Sequence, residues 1–228
     1  EDQSGQMAVS LADTVNTLLQ QELKLVRQVA ASGPIVTTGT KVLGMGKDAA
    51  IGGVMDACDE FEAAMATIGD NYEAIFLTDV HGDVYADGNQ SKFMKMNLNL
   101  ADQDYFKQAM EGKSAFATPR QLPGTDKLVF PISMPVYSRT DEVAGALVVY
   151  VKSGFIADKI TSVTIGETGY PYMVNEEGLV IVHPDRDRVL QWNIAEEAGM
   201  AAVAKKMTAG GTGTESVSLD NIERVSSF

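Results

Sequence analysis

Few residues of this 228-residue chain have the chemistry of a nucleophile or a metal ligand. The one cysteine, Cys58, falls on the apolar stripe of a predicted helix, where burial raises the pKa of a thiol and leaves it unreactive. The two histidines, His81 and His183, are far apart in the chain. His183 precedes Pro184 at the end of a predicted strand, which is typical of a turn and not of a metal site. Because no nucleophile is paired with a base, we expect no enzyme.

Two loop motifs resemble sites for phosphate or calcium, and neither has the spacing that such a site needs. Lys47 follows Gly46, but no glycine lies five positions earlier, and Asp48 replaces the Ser or Thr of a phosphate-binding loop. We interpret the glycines near Gly44 as a loop. The acidic turns at 79–83 and 176–177 lack the alternating aspartates of a calcium loop. The sequence therefore predicts no metal and no cofactor.

Composition and charge narrow the class of protein. Hydrophobic residues make up 45% of the chain and charged residues 21%, which is typical of a globular protein. The formal net charge is −13, and a surface this acidic repels phosphate backbones, so we expect no nucleic acid partner. A single cysteine excludes an internal disulfide, and no run approaches the roughly 18 apolar residues of a membrane span. Without a signal peptide or an initiator Met, the chain is expected to be a fragment.

The first part of the chain predicts two helices. Residues 4–31 have an apolar stripe with spacings of three and four, interrupted by Glu22. The stripe consists of Leu11, Val15, Leu18, Leu25 and Val29. The run at 32–34, Ser-Gly-Pro, predicts the end of this helix, and a second helix is predicted over 48–68. The stripe either packs on a sheet, which we favour, or forms a dimer.

The middle of the chain changes to the alternation of strands. Strands are predicted at 74–78, 84–86, 115–118, 127–136 and 144–152, with a short helix at 104–110. The first two strands form a hairpin whose turn contains Gly82. This order of elements predicts an α+β module with one five-stranded antiparallel sheet, covered on one face by the long helix.

The hairpin pattern recurs after a connecting helix predicted at 153–163. Strands at 169–175 and 179–182 flank an acidic turn with Gly178, as the earlier pair flanks Gly82. We therefore predict an internal repeat of one supersecondary unit. A helix near 195–207 and a strand at 215–219 complete a second module, which is smaller than the first and is expected to be incomplete.

The second hairpin closely resembles the signature of Cache domains, the extracytoplasmic sensory modules of bacterial chemoreceptors and sensor kinases. The run Gly166-x-Thr168-Gly169-Tyr170 is followed by an acidic turn and then by His183-Pro184. The first module is similar to the membrane-distal half of a double Cache domain through residues 104–112, Pro131 to Pro135, and 145–148. The resemblance implies an α+β fold in which a long N-terminal helix packs on two PAS-like antiparallel-sheet modules in tandem, the second of them truncated.

This resemblance also implies how the chain is divided. The first two helices occupy 1–69, the membrane-distal module that binds the ligand occupies 70–152, the connecting helix 153–163, and the incomplete membrane-proximal module 164–228. The implied ligand site lies in the distal module and is formed by Gln103, Tyr105, Phe106, Arg120, Ser133 and Tyr150.

Members of this family that bind amino acids or amines differ from this sequence at three of these positions. They have a basic residue where Gln103 stands, a tyrosine where Arg120 stands, and an aspartate that binds the amine where Tyr150 stands. A desolvated ammonium without an anionic partner costs several kcal/mol, whereas an arginine offers paired donors to a carboxylate. We therefore expect the ligand to be a small organic anion or another small polar metabolite, and not an ordinary amino acid.

Each of these residues also has a plainer interpretation. Arg120 is equally compatible with a solvated loop residue, and Tyr105 and Phe106 with packing between helix and sheet. Tyr150 is expected to face the site, because it shares one strand face with Val148.

The expected function is that of an extracytoplasmic ligand-sensing domain of a transmembrane chemotaxis receptor. The chain would lie in the periplasm or the extracellular space, in a full-length protein that is anchored in the membrane and that could form a homodimer. One alternative is the sensor domain of a histidine kinase or of a cyclic-dinucleotide enzyme. Another is an interaction module that dimerises and binds no ligand.

Overall fold

The chain is described by a computed structural model, which covers residues 3–68, 70–219 and 222–228. The helices are α1 (Gln3–Ala30), α2 (Gly33–Met45), α3 (Ile51–Ile68), α4 (Lys92–Lys95), α5 (Asp104–Met110), α6 (Ser153–Thr161) and α7 (Ala201–Thr208). The strands are β1 (Tyr72–Thr78), β2 (Val84–Asp87), β3 (Ala115–Phe116), β4 (Arg120–Gln121), β5 (Leu128–Tyr137), β6 (Val143–Lys152), β7 (Met173–Val174), β8 (Val180–Val182), β9 (Thr214–Leu219) and β10 (Ile222–Ser227). Helices and antiparallel sheets are both present, which confirms the α+β class.

The chain divides into two compact units. Residues 19–153 form the larger unit, and the residues up to 18 together with 154–228 form the smaller unit. The segment boundary that we predict at residue 69 lies outside the described residues. Over the described part of the chain, no helix combines the length and the apolarity that crossing a bilayer requires.

The packed face of helix α1 differs from the predicted stripe at Glu22 and Leu25, while the other predicted residues, Leu11, Val15, Leu18 and Val29, are half-buried. Its buried residues are Glu22, Val26 and Ala30, whereas Leu25 is 51% exposed. The hydroxyl of Tyr72, at the start of β1, donates a hydrogen bond to the Glu22 carboxylate. A polar side chain can be buried when it has such a partner. The prediction that Glu22 interrupts the packed face and that Leu25 belongs to it is therefore wrong.

Helix α2 is not predicted from the sequence. The Ser-Gly-Pro run at 32–34 does follow the end of α1, but Pro34 lies in the first turn of α2. Proline is well tolerated there, because the first amides of a helix have no intrahelical partner. Gly46 follows the last turn with φ of 81°, and its amide donates to the Val42 carbonyl. The glycines near Gly44, interpreted from the sequence as a loop, belong to a helix and its C-terminal cap.

The sheet of the larger unit has six strands and not the predicted five. Its order is β2-β1-β6-β5-β3, and β4 also pairs with β5. The predicted strand at 115–118 is shorter, and a second short strand follows Pro119, which has no amide hydrogen to donate to the ladder. The two central strands, β5 and β6, pair along most of their length, with Pro131 opposite Tyr150 and Ser133 opposite Val148. This pairing places Ser133 and Tyr150 on neighbouring strands.

The turns of the two hairpins have the same pattern of hydrogen bonds, as the predicted repeat requires. Asp79 in the first hairpin and Asn175 in the second each accept hydrogen bonds from the backbone amides two and four residues ahead. Gly82 and Gly178 occupy the same place in the two turns, with φ of 84° and 81°. Both turns therefore use one side-chain oxygen to order the loop and one glycine to reverse it.

The smaller unit contains the two-stranded sheets β7–β8 and β9–β10. The strand predicted at 169–175 is reduced to β7, since Pro171 has no amide hydrogen and the preceding residues turn back through hydrogen bonds between Ile165 and Gly169. The helix predicted near 195–207 begins only at Ala201, and Gly199 passes so close to the backbone of Ser218 that a side chain there would collide. Strand β10 is not predicted from the sequence.

Candidate functional site

Two buried tyrosines lie at the centre of the candidate site in the larger unit. Tyr105 comes from the first turn of α5 and Tyr150 from β6, and their hydroxyl oxygens are 2.7 Å apart. Burial raises the pKa of both hydroxyls, so both remain protonated at neutral pH. One hydroxyl donates its hydrogen to the other, and the hydrogen of the accepting hydroxyl is then available to an acceptor on a ligand.

Arg120, on β4, lies next to this pair of tyrosines. Its guanidinium carbon lies 4.7 Å from the centre of the Tyr105 ring, which is the geometry of a cation–π contact. Its Nη1 donates a hydrogen bond to the Oε1 of Gln103, the residue that precedes α5. The Nε of Arg120 is buried and has no hydrogen-bond acceptor among the described residues. A solvated loop arginine would have water around this atom, so the geometry does not favour that interpretation.

Ser133 and Phe106 support the site from two sides. The Ser133 hydroxyl, fully buried on β5, donates a hydrogen bond of 2.6 Å to the Tyr105 carbonyl and thereby fixes the first turn of α5. Phe106 is buried in the same apolar cluster as Tyr105 and Tyr150. The structure thus brings together Gln103, Tyr105, Arg120 and Tyr150 and attaches Ser133 to their backbone, while Phe106 belongs to the surrounding core.

Sequence reasoning misses Phe76 of β1. Its ring meets that of Tyr150 edge-on, with centroids 5.0 Å apart. Phe76 lies opposite Val148 on β6, and both residues belong to the same apolar cluster as Tyr150. Strand alternation was the signal that could have identified Phe76, because alternate residues of β1 lie on the sheet face that Val148 and Tyr150 share. Phe76 therefore forms an apolar wall of the candidate site.

The buried carboxylates of the larger unit are already engaged. Among the described residues, these are Glu22 and Asp87. Glu22 accepts a hydrogen bond from Tyr72, and Asp87 accepts three from backbone amides. Neither carboxylate has a contact with Tyr105, Arg120 or Tyr150 among those described, so neither is an anionic partner for an ammonium group at the site. The described side chains that meet at the site are donors, hydroxyls and aromatic rings.

Cys58 lies in α3, half-buried, with its Sγ 4.0 Å from the Sδ of Met94. Burial is the main cause that raises the pKa of its thiol. Within the part of the chain that the structure describes, no group of three His, Cys, Asp or Glu side chains is placed to hold a metal ion.

We expect the Cys58 thiol to be alkylated slowly in the folded protein. Because the thiolate is the nucleophile, a raised pKa should make the rate of reaction with iodoacetamide at pH 8 about tenfold lower than in the unfolded chain. The rate in the folded protein should then rise with pH above the ordinary thiol range. Mass spectrometry of samples quenched over time, with and without guanidinium, measures both rates. Equal rates in the two states would contradict the prediction.

Comparison with known proteins shows which domains this chain is similar to. A family model described as Cache domain, of the double Cache type, matches residues 1–228. The extracellular domain of mmHK1S-Z2, described as a histidine kinase, superposes with a TM-score of 0.72 at 14% identity, over 99% of this chain and 90% of that one. No curated protein matches this sequence.

Two chemoreceptor domains with bound ligands have the same fold. The ligand-binding domain of the Pseudomonas aeruginosa amino acid chemoreceptor PctC, in complex with GABA, has a TM-score of 0.67 at 16% identity, over 95% of this chain and 87% of that one. The ligand-binding domain of the Pseudomonas fluorescens chemoreceptor CtaA, in complex with L-serine, has a TM-score of 0.67 at 15% identity, over 96% and 85%.

Proposed function

Because the chain belongs to the Cache domain family, we propose that it is the extracytoplasmic ligand-sensing domain of a transmembrane chemotaxis receptor. Domains of this family are sensory ligand-binding modules. The site of Gln103, Tyr105, Arg120 and Tyr150 in the larger unit is the proposed ligand site, with Phe106 and Ser133 supporting it. The chain would act in the periplasm or the extracellular space.

The proposed ligand is a small carboxylate. The observation that carries this proposal is the Nε of Arg120, which is buried and lacks an acceptor. A guanidinium nitrogen can only donate, and a carboxylate oxygen is the acceptor that fits its planar, charge-assisted geometry best. A hydroxyl of the Tyr105–Tyr150 pair would donate to the same ligand, and the aromatic walls would contact its carbon chain.

Among the described residues, the site offers no anionic partner to an α-amino or other ammonium group. Tyr150 occupies the place of the amine-binding aspartate, and its hydroxyl stays neutral because burial raises its pKa. The two chemoreceptor domains named above are in complex with GABA and L-serine, both of which carry an amine. We propose that this chain prefers ligands with the same carboxylate but without the amine.

Thermal unfolding with matched ligands tests this proposal. Butyrate and GABA share a four-carbon acid and differ by one ammonium group, and succinate adds a second carboxylate. A ligand at one hundred times its Kd adds about 2.7 kcal/mol of stability, which raises the midpoint visibly. We expect butyrate or succinate to raise the midpoint and GABA to raise it less. A rise with GABA alone would contradict the proposed preference for ligands without an amine.

Substitution of Arg120 should remove this binding. Arg120→Ala deletes the guanidinium, and because charge-assisted hydrogen bonds are worth about 1.5–3 kcal/mol, we expect affinity to fall at least tenfold. Arg120→Lys keeps the charge but loses the planar donors and should recover little. Arg139→Ala, an exposed arginine of the same unit, is the matched control. Calorimetric titration measures all three; unchanged affinity in Arg120→Ala would exclude this residue from the site.

We infer further that binding is signalled across a membrane to a chemotaxis output. Similarity to chemoreceptor domains supports this output, and similarity to the histidine kinase domain supports kinase output as the alternative. A chimera that joins this chain to the transmembrane and signalling parts of a chemoreceptor tests it. Butyrate or succinate should change the activity of the associated kinase, and Arg120→Ala should abolish the change. A chimera that assembles and binds the ligand but does not respond would favour the alternative.

A further inference from the structure

The smaller unit also contains buried polar atoms without partners. Six buried side-chain nitrogen or oxygen atoms of the described residues lack a hydrogen bond, and three of them belong to this unit. They are the Nε2 of His183, the hydroxyl of Tyr172 and the Nε of Arg224. A buried polar atom without a partner is costly, so each of these atoms needs a partner from outside the chain, either a water molecule or a ligand.

The tautomer of His183 makes its Nε2 a donor. Two backbone groups of Asp185 lie near the Nδ1 of this buried imidazole, the amide nitrogen at 2.9 Å and the carbonyl oxygen at 3.1 Å. Because the amide can only donate and makes the shorter contact, we assign the lone pair to Nδ1 and the hydrogen to Nε2. Burial lowers the pKa of His183, which keeps the ring neutral at physiological pH. The nearby Arg188 guanidinium lowers it further. The N–H group at Nε2 is therefore a fixed donor.

Aromatic rings surround this donor. Ring centroids of Tyr170, Tyr172 and Trp192 lie 4.9, 6.2 and 6.0 Å from that of His183. All three residues are half-buried. The Arg188 guanidinium lies 4.6 Å from the centre of the Trp192 ring and adds positive charge beside the cluster. The walls suit a small molecule with an apolar body and a negatively charged end.

Strand β10 contributes the third donor. Burial raises the pKa of Tyr172, and the side chain of Ser226 on β10 opposes this rise. The two hydroxyls do not have the geometry of a hydrogen bond. Arg224 precedes Ser226 by two residues, so both side chains lie on one face of β10. Its Nε can only donate, as can the Nε2 of His183. This donor set favours an anionic acceptor.

The internal repeat supports the same position. His183 follows the turn residue Asn175 by the same number of residues that separates Asp87 from Asp79. Asp87, like His183, accepts a hydrogen bond from the amide two residues ahead. The second oxygen of Asp87 is used by two further amides, whereas the second nitrogen of His183 has no partner. The imidazole thus replaces an acceptor with a donor that has no partner.

We propose that the smaller unit contains a second ligand site, separate from the one in the larger unit, which binds a small carboxylate through His183, Tyr172 and Arg224. The carboxylate accepts hydrogen bonds from the Nε2 of His183 and from the Arg224 guanidinium, and the carbon chain lies against the rings of Tyr170 and Trp192.

The fluorescence of Trp192 reports on this site directly, because it is the one tryptophan of the chain. Acetate, propionate and succinate are the probes, each titrated into the folded chain. We expect at least one to change the fluorescence with saturation. His183→Phe keeps an aromatic ring but removes the donor, and the affinity read from the titration should fall about tenfold. His81→Phe, which alters the exposed histidine of the corresponding turn, is the matched control and should bind normally.

The two proposed sites are distinguished by Arg120→Ala, which should abolish binding in the larger unit and leave the Trp192 signal intact. Tyr172→Phe and Arg224→Gln repeat the test should His183→Phe fail to fold, and each should weaken the response. No saturable change with any probe, or an equal response in the folded variants and the wild type, would overturn the second site. A Trp192 response that is lost only in Arg120→Ala would show that the signal comes from the first site and would also overturn it.

Discussion

Gly145→Ala is expected to destabilise the larger unit more than any other single methyl addition to its sheet. Gly145 lies near the start of β6 with φ of 144°, a backbone conformation that other residues rarely adopt. A Cβ at this position would lie 1.9 Å from the carbonyl oxygen of Thr78 on β1. Because that oxygen belongs to a backbone fixed in the centre of the sheet, it cannot move aside as the end of a flexible side chain would.

We expect Gly145→Ala to lower the free energy of unfolding by about 3 kcal/mol or more, a large part of the stability of a typical domain. Urea unfolding followed by circular dichroism measures this change. Gly154→Ala is the matched control: it lies exposed in α6, where an added Cβ meets nothing, and the change should be neutral or stabilising by up to about 1 kcal/mol. Equal midpoints for the two variants would show that β6 can shift away from β1.

Asp87→Ala should have the second-largest effect. The carboxylate of Asp87, at the end of β2, is fully buried and accepts hydrogen bonds of 2.9, 3.0 and 3.0 Å from the amides of Asn89, Phe93 and Met94. The last two amides belong to α4, whose N-cap residue, Ser91, makes no side-chain capping bond. Asp87 therefore caps the N-terminus of α4, although it belongs to the strand β2 and not to the N-cap position.

Removing this carboxylate leaves three amides without their acceptor, and we expect a loss of about 3 kcal/mol in the free energy of unfolding. Asp87→Asn keeps one acceptor oxygen and should lose less. Asp126→Ala, at an exposed position of the same unit, should change stability by no more than about 0.5 kcal/mol. Hydrogen exchange at Phe93 and Met94 locates the effect. Fast exchange there in Asp87→Ala is expected, and unchanged protection would contradict the capping role.

Local signals in the sequence correctly predicted the helices and strands whose hydrophobic pattern matches their burial in the structure. The helix predicted at 104–110 is α5, and the strands predicted at 127–136 and 144–152 are β5 and β6 within one residue at each end. Their alternation and boundaries depend on residues adjacent in the chain. The turns that contain Gly82 and Gly178 were likewise predicted, and in the structure Asp79 and Asn175 order the amides that follow them.

Partners distant in the chain decided what the sequence left open or indicated wrongly. Glu22 is buried because Tyr72 reaches it, and no pattern within α1 contains that information. Pro34 begins a helix and does not exclude one, because α2 packs on the sheet and on α3. Arg120 and Gln103 are separated along the chain and meet only because β4 pairs with β5 beside α5.

The sequence by itself determined the α+β class, the repeated hairpin and the Cache resemblance, and it led to the proposed residues of the ligand site. Periodicity, turn residues and sequence motifs depend only on residues that are close together in the chain. The tertiary structure decided which of those residues face one another and which polar atoms are left without a partner. The unpaired Nε of Arg120 and the unpaired Nε2 of His183 are properties of that second kind, because burial and hydrogen-bond satisfaction are fixed only when distant segments pack together.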